Sequence, residues 1–133
     1  MSLLLYSILL LIAANLTNVH VDAYKIQFLN KTIRHSINFA VYAGVVVVCA
    51  LLTGYQGAGL IWFAILAFSC RQLFFDIPLN WRRGLRWNYV TTADPPGAIM
   101  DRIEIYLFGR DGKTPVYIYA GLFVVTTVIL LSI

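Results

Sequence analysis

The hydrophobic positions of this chain fall into four long blocks, separated by polar or glycine-rich segments. The blocks cover residues 3–20, 37–53, 57–75 and 115–133. Each block is close to the length that one helix needs to cross the hydrocarbon core of a bilayer. Inside that core every backbone N–H and C=O must pair within the protein, so helix is the expected state even for valine-rich runs. The pattern predicts an all-α integral membrane protein with four spans.

The first block has a second interpretation. Its uninterrupted apolar run is residues 3–14, and it reaches spanning length only by continuing through the polar-containing residues 15–19. A run of that length also suits a cleaved signal peptide, with Val21 and Ala23 as the small residues ahead of the cleavage site. No basic residue precedes the run, however, which favours an uncleaved span.

Composition and charge indicate where the segments between the blocks lie relative to the membrane. Only 12% of the residues are charged, about half of the roughly one quarter that is usual in soluble domains. Residues 24–36, in which basic residues flank an apolar stripe, predict an amphipathic helix at the membrane surface. Residues 76–114 form the long polar segment, and together the two segments hold nine of the ten Lys and Arg residues. The positive-inside rule then predicts a multi-pass protein of the inner (cytoplasmic) membrane, with both segments in the cytoplasm and both termini outside.

Arginines and aromatic residues alternate directly after the third block. They are Trp81, Arg82, Arg83, Arg86, Trp87 and Tyr89. A guanidinium can hold a phosphate through two hydrogen bonds, and Trp and Tyr favour the headgroup layer because their rings are apolar at one end and polar at the other. This pattern predicts contact with anionic lipid or with a protein partner. The simpler interpretation is an interfacial anchor that fixes the depth of the helix.

Ionisable residues inside the third block and the adjacent loop are the other candidates for chemistry. Arg71 lies near the cytoplasmic end of the third span, where it can snorkel to the interface, and Asp76 is its candidate ion-pair partner. The middle of every predicted span lacks an acidic residue, which argues against an ion-coupled carrier. Asp101 and Glu104 lie three residues apart on a predicted short helix, a spacing more typical of a solvated face than of a catalytic pair.

No complete catalytic, metal or cofactor motif occurs in the sequence. Cys49 and Cys70 both lie inside apolar blocks and form no zinc-type spacing. The net charge of +4 is explained by the membrane-flanking segments, so a nucleic-acid partner is not predicted. The expected partners are therefore the bilayer and its anionic lipids, with a homo-oligomer or a membrane-protein complex as the assembly.

A loose pattern of positions runs through residues 69–133. Its positions are Arg71, Phe75, Asp76, Asn80, Arg83, Gly84, Leu85, Tyr89, Asp101, Phe108 and Gly109. The pattern resembles one in small uncharacterised integral membrane proteins of Bacteroidota genomes and their prophages. The resemblance implies a bacterial or phage setting and carries no catalytic residue or cofactor.

Three functions remain open from the sequence. The first is a non-enzymatic structural or accessory subunit, with helix contacts through small residues such as Gly44, Ala50, Ala64, Ala67 and Gly121. The second is a holin-like phage protein that permeabilises the membrane, although the long internal loop and the absence of a charged C-terminal tail depart from that class. The third is an anionic-lipid-binding protein or lipid-acting enzyme, in which Arg82, Arg83 and Arg86 would work beside Asp101 or Glu104.

Overall fold

The computed structural model of the chain describes residues 3–29, 35–89 and 99–133, and every regular element in these ranges is a helix. The helices are α1 (Leu3–Leu29), α2 (His35–Thr53), α3 (Ala58–Arg82), α4 (Ile99–Phe108) and α5 (Lys113–Ser132). Residues 30–34 of the predicted surface helix and residues 90–98 of the predicted loop lie outside the described ranges. The predicted all-α class is confirmed for the residues that are described.

Three of the helices, α1, α3 and α5, are long and apolar enough to cross a membrane. The apolar part of α2, Ile37–Thr53, is shorter, so a fourth span stays a prediction. Large apolar side chains cover much of the outer surface of the bundle, with Leu51 in α2, Ile61 in α3 and Leu131 in α5 all exposed. In a bilayer these side chains would face lipid.

Long helices that follow one another along the chain run antiparallel, while α1 and α3 run parallel and in contact, and the bundle therefore has two distinct ends. At one end, called the terminal end, the start of α1 meets the close of α2, where Cys49 Sγ lies 3.9 Å from the Ser7 carbonyl oxygen. There too, the Tyr55 hydroxyl donates to the Leu130 carbonyl oxygen at 2.8 Å. At the other end, called the basic end, the Gln27 amide donates to the Arg82 carbonyl oxygen at 2.6 Å. The start of α1 and the end of α5 therefore lie at the end opposite Arg82.

Two helices run further than the hydrophobic pattern indicates. Helix α1 continues past residue 20, so residues 24–29 of the predicted surface helix are its last turns. Helix α3 continues past residue 75 and includes a π-helical turn at Gln72–Asp76. The wider turn comes just before Pro78, whose ring would clash with the carbonyl of Phe74 in a regular α-helix.

The turn between α2 and α3 is short and relies on glycine. Gly54 and Gly57 both have positive φ values, 70° and 52°, in the left-handed region that other residues rarely adopt. The two helices therefore form the hairpin that the glycine-rich segment predicts.

Large side chains, rather than small ones, fill the centre of the bundle. Leu11, Phe63 and Leu66 are almost completely buried there, together with Cys49 and Cys70. The expectation that small residues make the helix contacts holds for Ala67, which is buried, and for Ala50, which packs against the core. It is wrong for three others within this chain, which are exposed: Gly44, Ala64 and Gly121.

Candidate functional site

The predicted basic–aromatic residues lie at the basic end, but they do not converge on one pocket. Trp81 and Arg82 close α3, and Trp81 is 79% exposed. Arg83 and Arg86 lie in the turn that follows, where Gly84 has a φ of 71°. Both side chains are exposed and form no hydrogen bond with another described residue. These positions are open to a ligand from outside the chain.

Other residues of the same segment are tied to neighbouring helices. Arg82 Nη1 lies 3.0 Å from His20 Nδ1 of α1. The Trp87 ring packs edge-on against Tyr117 of α5, with 6.5 Å between ring centroids. Among the described residues, Trp81 and Arg83 are therefore free of neighbouring helices, whereas Trp87 contacts α5 and is still 40% exposed.

Arg71 is half-buried between three helices. Its guanidinium lies 4.2 Å from the Phe75 ring centroid and 5.3 Å from that of Tyr42. Its Nη1 also donates to Asn15 Oδ1 at 3.4 Å. The predicted partner Asp76 is not within the 4 Å distance of an ion pair, but its charge and that of Arg71 still interact. Aromatic rings and an amide make the direct contacts with this cation.

A buried polar cluster joins α1 to α2 and α3, and it was not predicted. Asp22 is 0% exposed and accepts a hydrogen bond from the Asn38 amide. Lys25 Nζ lies 3.8 Å from the other carboxylate oxygen of Asp22, which has no hydrogen-bond partner in the described chain. Two turns earlier in α1, Asn15 Nδ2 donates to the Leu11 carbonyl oxygen at 3.0 Å. Asp22 lies beyond the first predicted span, 3–20, so the expectation that the middle of each span lacks an acidic residue is unaffected.

The sequence held a signal for this cluster. Ile8, Asn15 and Asp22 are spaced by seven residues, which places them on one face of a helix. All three are buried in the bundle. A polar residue in phase with an apolar stripe indicates an interhelical hydrogen bond in a membrane bundle.

A small cleft opens at the basic end, between α3, the turn after it, α4 and α5. Its volume is about 40 Å³. Residues that line it include Gln72, Asp76, Asn80, Trp87, Tyr89, Glu104 and Tyr119. The two carboxyl groups come from different helices, and the Tyr119 hydroxyl donates to Glu104 Oε1 at 2.7 Å. The cleft therefore combines two carboxyl groups with amides, aromatic rings and apolar side chains such as Ile77 and Val116.

Burial raises the pKa of Glu104 above its ordinary value. The hydrogen bond from Tyr119 opposes this shift, and the nearby Asp101 adds to it. Because the pKa of Glu104 is raised on folding, the folded chain binds the proton of this carboxyl group more tightly than the unfolded chain does. The free energy of unfolding should therefore decrease as pH rises from the ordinary carboxyl range through the raised pKa.

We expect Glu104→Gln to remove this part of the pH dependence. The groups that face Glu104 are Tyr119 on α5, Asp76 on α3 and Asp101 on its own helix, and all three stay in place in the variant. The measurement is the thermal midpoint of detergent-solubilised protein at pH 5 and at pH 8. The decrease in thermal midpoint from pH 5 to pH 8 should be larger for the wild type than for the variant. An equal decrease in both proteins would contradict the raised pKa of Glu104.

Metal-binding residues do not cluster in the described ranges: no group of three or more His, Cys, Asp or Glu side chains there could hold an ion. Comparisons of the chain with protein-family models, with curated proteins and with solved structures returned no match. Function is therefore inferred from the chain's own residues at the basic end.

Proposed function

We propose that this chain is a multi-pass protein of a bacterial cytoplasmic membrane that holds anionic lipid headgroups at its basic end and serves as a non-enzymatic structural or accessory subunit. One observation carries this proposal. Arg83 and Arg86 are exposed and unpaired among the described residues, beside the exposed Trp81, at one end of an apolar bundle. The turn at residues 54–57 and the last residues of α5, at the terminal end, contain no Lys or Arg.

Chemistry favours a phosphate as the group that these arginines bind. A guanidinium offers two parallel N–H donors to a phosphate, and it is more weakly hydrated than an ammonium, so it gives up water more readily. Each Lys or Arg near an anionic membrane surface contributes about 1 kcal/mol of attraction. Trp81 adds a ring suited to the headgroup layer. Lipid phosphate therefore fits both the charge and the depth of this segment.

The antiparallel bundle supports four spans with the basic end in the cytoplasm. Helix α2 has 19 residues, which at 1.5 Å per residue gives about 28 Å, close to the thickness of the hydrocarbon core. With α2 as a fourth span, both termini lie on the outer side. The positive-inside rule then assigns the basic end, with Arg82, Arg83 and Arg86, to the cytoplasmic side.

Replacing Arg82, Arg83 and Arg86 together by alanine should lower the fraction of protein that carries an anionic lipid at least about tenfold, because each lost cation removes about 1 kcal/mol of attraction. The measurement is native mass spectrometry of protein extracted in a mild detergent that retains native lipid. The matched control replaces Arg102, Arg110 and Lys113 by alanine, which removes the same charge from α4 and the start of α5.

The control should keep its lipid. Equal loss in the two triple variants would show diffuse attraction in place of a site, and a lipid-free wild type would contradict the proposal. The same spectra report the assembly state. A large homo-oligomer would favour the membrane-permeabilising alternative, and a monomer or a small discrete oligomer would favour the accessory role.

A further inference from the structure

Helix α4 turns its apolar residues outward. Its two acidic residues, Asp101 and Glu104, lie on the less exposed side, and Glu104 accepts a hydrogen bond from the Tyr119 hydroxyl of α5. The exposed side carries three large apolar or aromatic side chains, Ile103, Tyr106 and Leu107. An amphipathic helix on a soluble protein has the reverse arrangement, with its apolar stripe toward the core and its charged residues toward water. The outward face of α4 is therefore suited to surroundings other than water.

The exposed face of α4 is a single continuous surface. At about 100° per residue, positions 102, 103, 106 and 107 lie within an arc of about 140°, and all four are exposed. Tyr106, near the centre of this arc, is 88% exposed. Tyr117 and Ile118, which directly precede Tyr119 in α5, are exposed as well. The face of α4 therefore lies beside the apolar outer surface of α5, which would face lipid.

Contact with α5 places α4 close to the edge of the hydrocarbon core. Helix α5 begins at Lys113, and Tyr119 lies six residues further on, about 9 Å along the helix axis at 1.5 Å per residue. Glu104 is near the middle of α4 and bonds to Tyr119, so the centre of α4 lies near this level. Amphipathic helices in a membrane interface bury their apolar face about 5–10 Å into the boundary between headgroups and acyl chains. The level of α4 agrees with that depth.

The size of the face favours a lipid surface over a protein partner. Helix α4 has 10 residues, so its face is about 15 Å long and about 10 Å wide, or about 150 Å². A stable protein interface buries about 800 Å² on each partner, whereas insertion into a bilayer is strengthened by any apolar area that it buries. Charge agrees with this choice, because Arg102 at the edge of the face and Arg110 after the helix are both exposed and basic. Long basic side chains can reach the headgroups while the apolar groups beside them lie deeper.

We propose that α4 lies in the bilayer interface at the basic end, with Ile103, Tyr106 and Leu107 inserted below the headgroups. The partner of this face is the boundary between headgroups and acyl chains. The contact is separate from the headgroup contact of the arginines after α3, and it rests on the proposed function only for the placement of the bundle in a membrane. Arg102 and Arg110 contribute diffuse attraction to an anionic surface here and hold no individual lipid.

The test measures the depth of α4 in nanodiscs of phosphatidylethanolamine and phosphatidylglycerol, using the full chain. Cys49 and Cys70 are replaced by alanine, and one nitroxide label is attached at Ile103→Cys or at Tyr106→Cys, both exposed positions. Electron paramagnetic resonance compares collisions of the label with oxygen, which concentrates in hydrocarbon, and with a water-soluble nickel chelate. We expect both labels to lie about 5–10 Å below the headgroup boundary, where oxygen collisions exceed nickel collisions. The second label site decides the question if one variant fails to fold.

Two reference positions calibrate the depth measurement. Val124→Cys, at an exposed position in the middle of α5, should be reached by oxygen and hardly by nickel. Gln56→Cys, at an exposed position in the turn at the terminal end, should be reached by nickel. Water accessibility at position 124 would overturn the membrane placement and the insertion of α4 together. Lipid accessibility at position 124 with water accessibility at positions 103 and 106 would overturn the insertion of α4 alone.

A protein occupant of the α4 face gives a different result. Labels at positions 103 and 106 that neither oxygen nor nickel reaches would overturn the lipid contact. Spin–spin broadening that disappears when unlabelled protein is mixed in before reconstitution would then identify a second copy as the occupant. Failure of the arginine proposal appears instead as unchanged anionic-lipid retention in the Arg82, Arg83 and Arg86 variant, whatever the depth of α4.

Discussion

Replacing Asn38 by leucine is expected to lower the free energy of unfolding by about 3 kcal/mol, because it leaves the fully buried Asp22 carboxylate without its hydrogen-bond donor. Lys25 cannot substitute, since it lies 3.8 Å from the carboxylate and is itself partly exposed. The measurement is reversible unfolding in mixed micelles by titration with sodium dodecyl sulfate, followed by circular dichroism.

A double variant distinguishes the loss of the Asp22–Asn38 hydrogen bond from a loss of packing at position 38. Removing both partners of a buried polar pair is far less costly than removing one, so Asp22→Leu combined with Asn38→Leu should recover most of the stability. The control is Thr17→Val, because Thr17 is exposed on α1 and bonds only to the Ala13 carbonyl oxygen of its own helix. A double variant less stable than the single one would contradict the role given to this pair.

The second large effect is expected at the centre of the bundle. Phe63 in α3 is 1% exposed, and its ring packs against Tyr55, with 6.1 Å between centroids. Phe63→Ala should destabilise the protein by about 3 kcal/mol, since buried Phe to Ala changes leave a cavity whose lining loses its contacts. Lipid solvates apolar atoms as well as the protein interior does, so the loss comes from packing rather than from exposure to water.

Phe39 in α2 provides the matched control for Phe63. It carries the same side chain and is 62% exposed on the outer surface of the bundle. Phe39→Ala should therefore change the detergent unfolding midpoint little. A larger loss of stability from Phe39→Ala than from Phe63→Ala would contradict the assignment of Phe63 to the core and Phe39 to the outer surface. It would otherwise mean that Phe39 lies in an interface between copies of the chain.

The hydrophobic blocks predicted well those helices whose formation depends on their own local sequence. The third and fourth blocks became α3 and α5, and Gly54 and Gly57 produced the turn between α2 and α3. In each case the information is local, either an apolar run of spanning length or a glycine at a turn. Three of the four predicted blocks are confirmed as helices that could span a membrane, and the orientation of the termini stays a prediction.

The buried polar cluster around Asp22 could not be predicted from hydropathy alone. The sequence pattern assigned Lys25 to the predicted surface helix and left Asp22 between that helix and the first block. In the bundle, Asn38 of α2 supplies a donor to Asp22, so α1 continues to Leu29 with this carboxylate buried. That pairing joins residues sixteen positions apart in sequence, and it depends on how the two helices pack.

The cleft depends still more on tertiary structure. Glu104 and Tyr119 meet across α4 and α5, while Gln72 and Asp76 reach the same space from the π-helical turn of α3. The sequence indicated that Arg71 and Asp76 belong together because they are close along the chain. In the structure Arg71 contacts the rings of Tyr42 and Phe75, while Asp76 lines the cleft, beyond ion-pair distance but within range of the Arg71 charge. The wider π-helical turn changes which face each residue occupies, and a regular helical spacing does not show this.

The most direct test of the account is the side of the membrane on which each end of the bundle lies. Cys49 and Cys70 are buried and unpaired, so both are first replaced by alanine. Single cysteines are then introduced by Gln56→Cys at the terminal end and by Arg83→Cys at the basic end, both at exposed positions. A membrane-impermeant maleimide is applied to bacterial spheroplasts before and after permeabilisation. The account predicts labelling at position 56 in intact spheroplasts and at position 83 only after permeabilisation. Labelling of both positions from outside, or of position 83 alone, would contradict it.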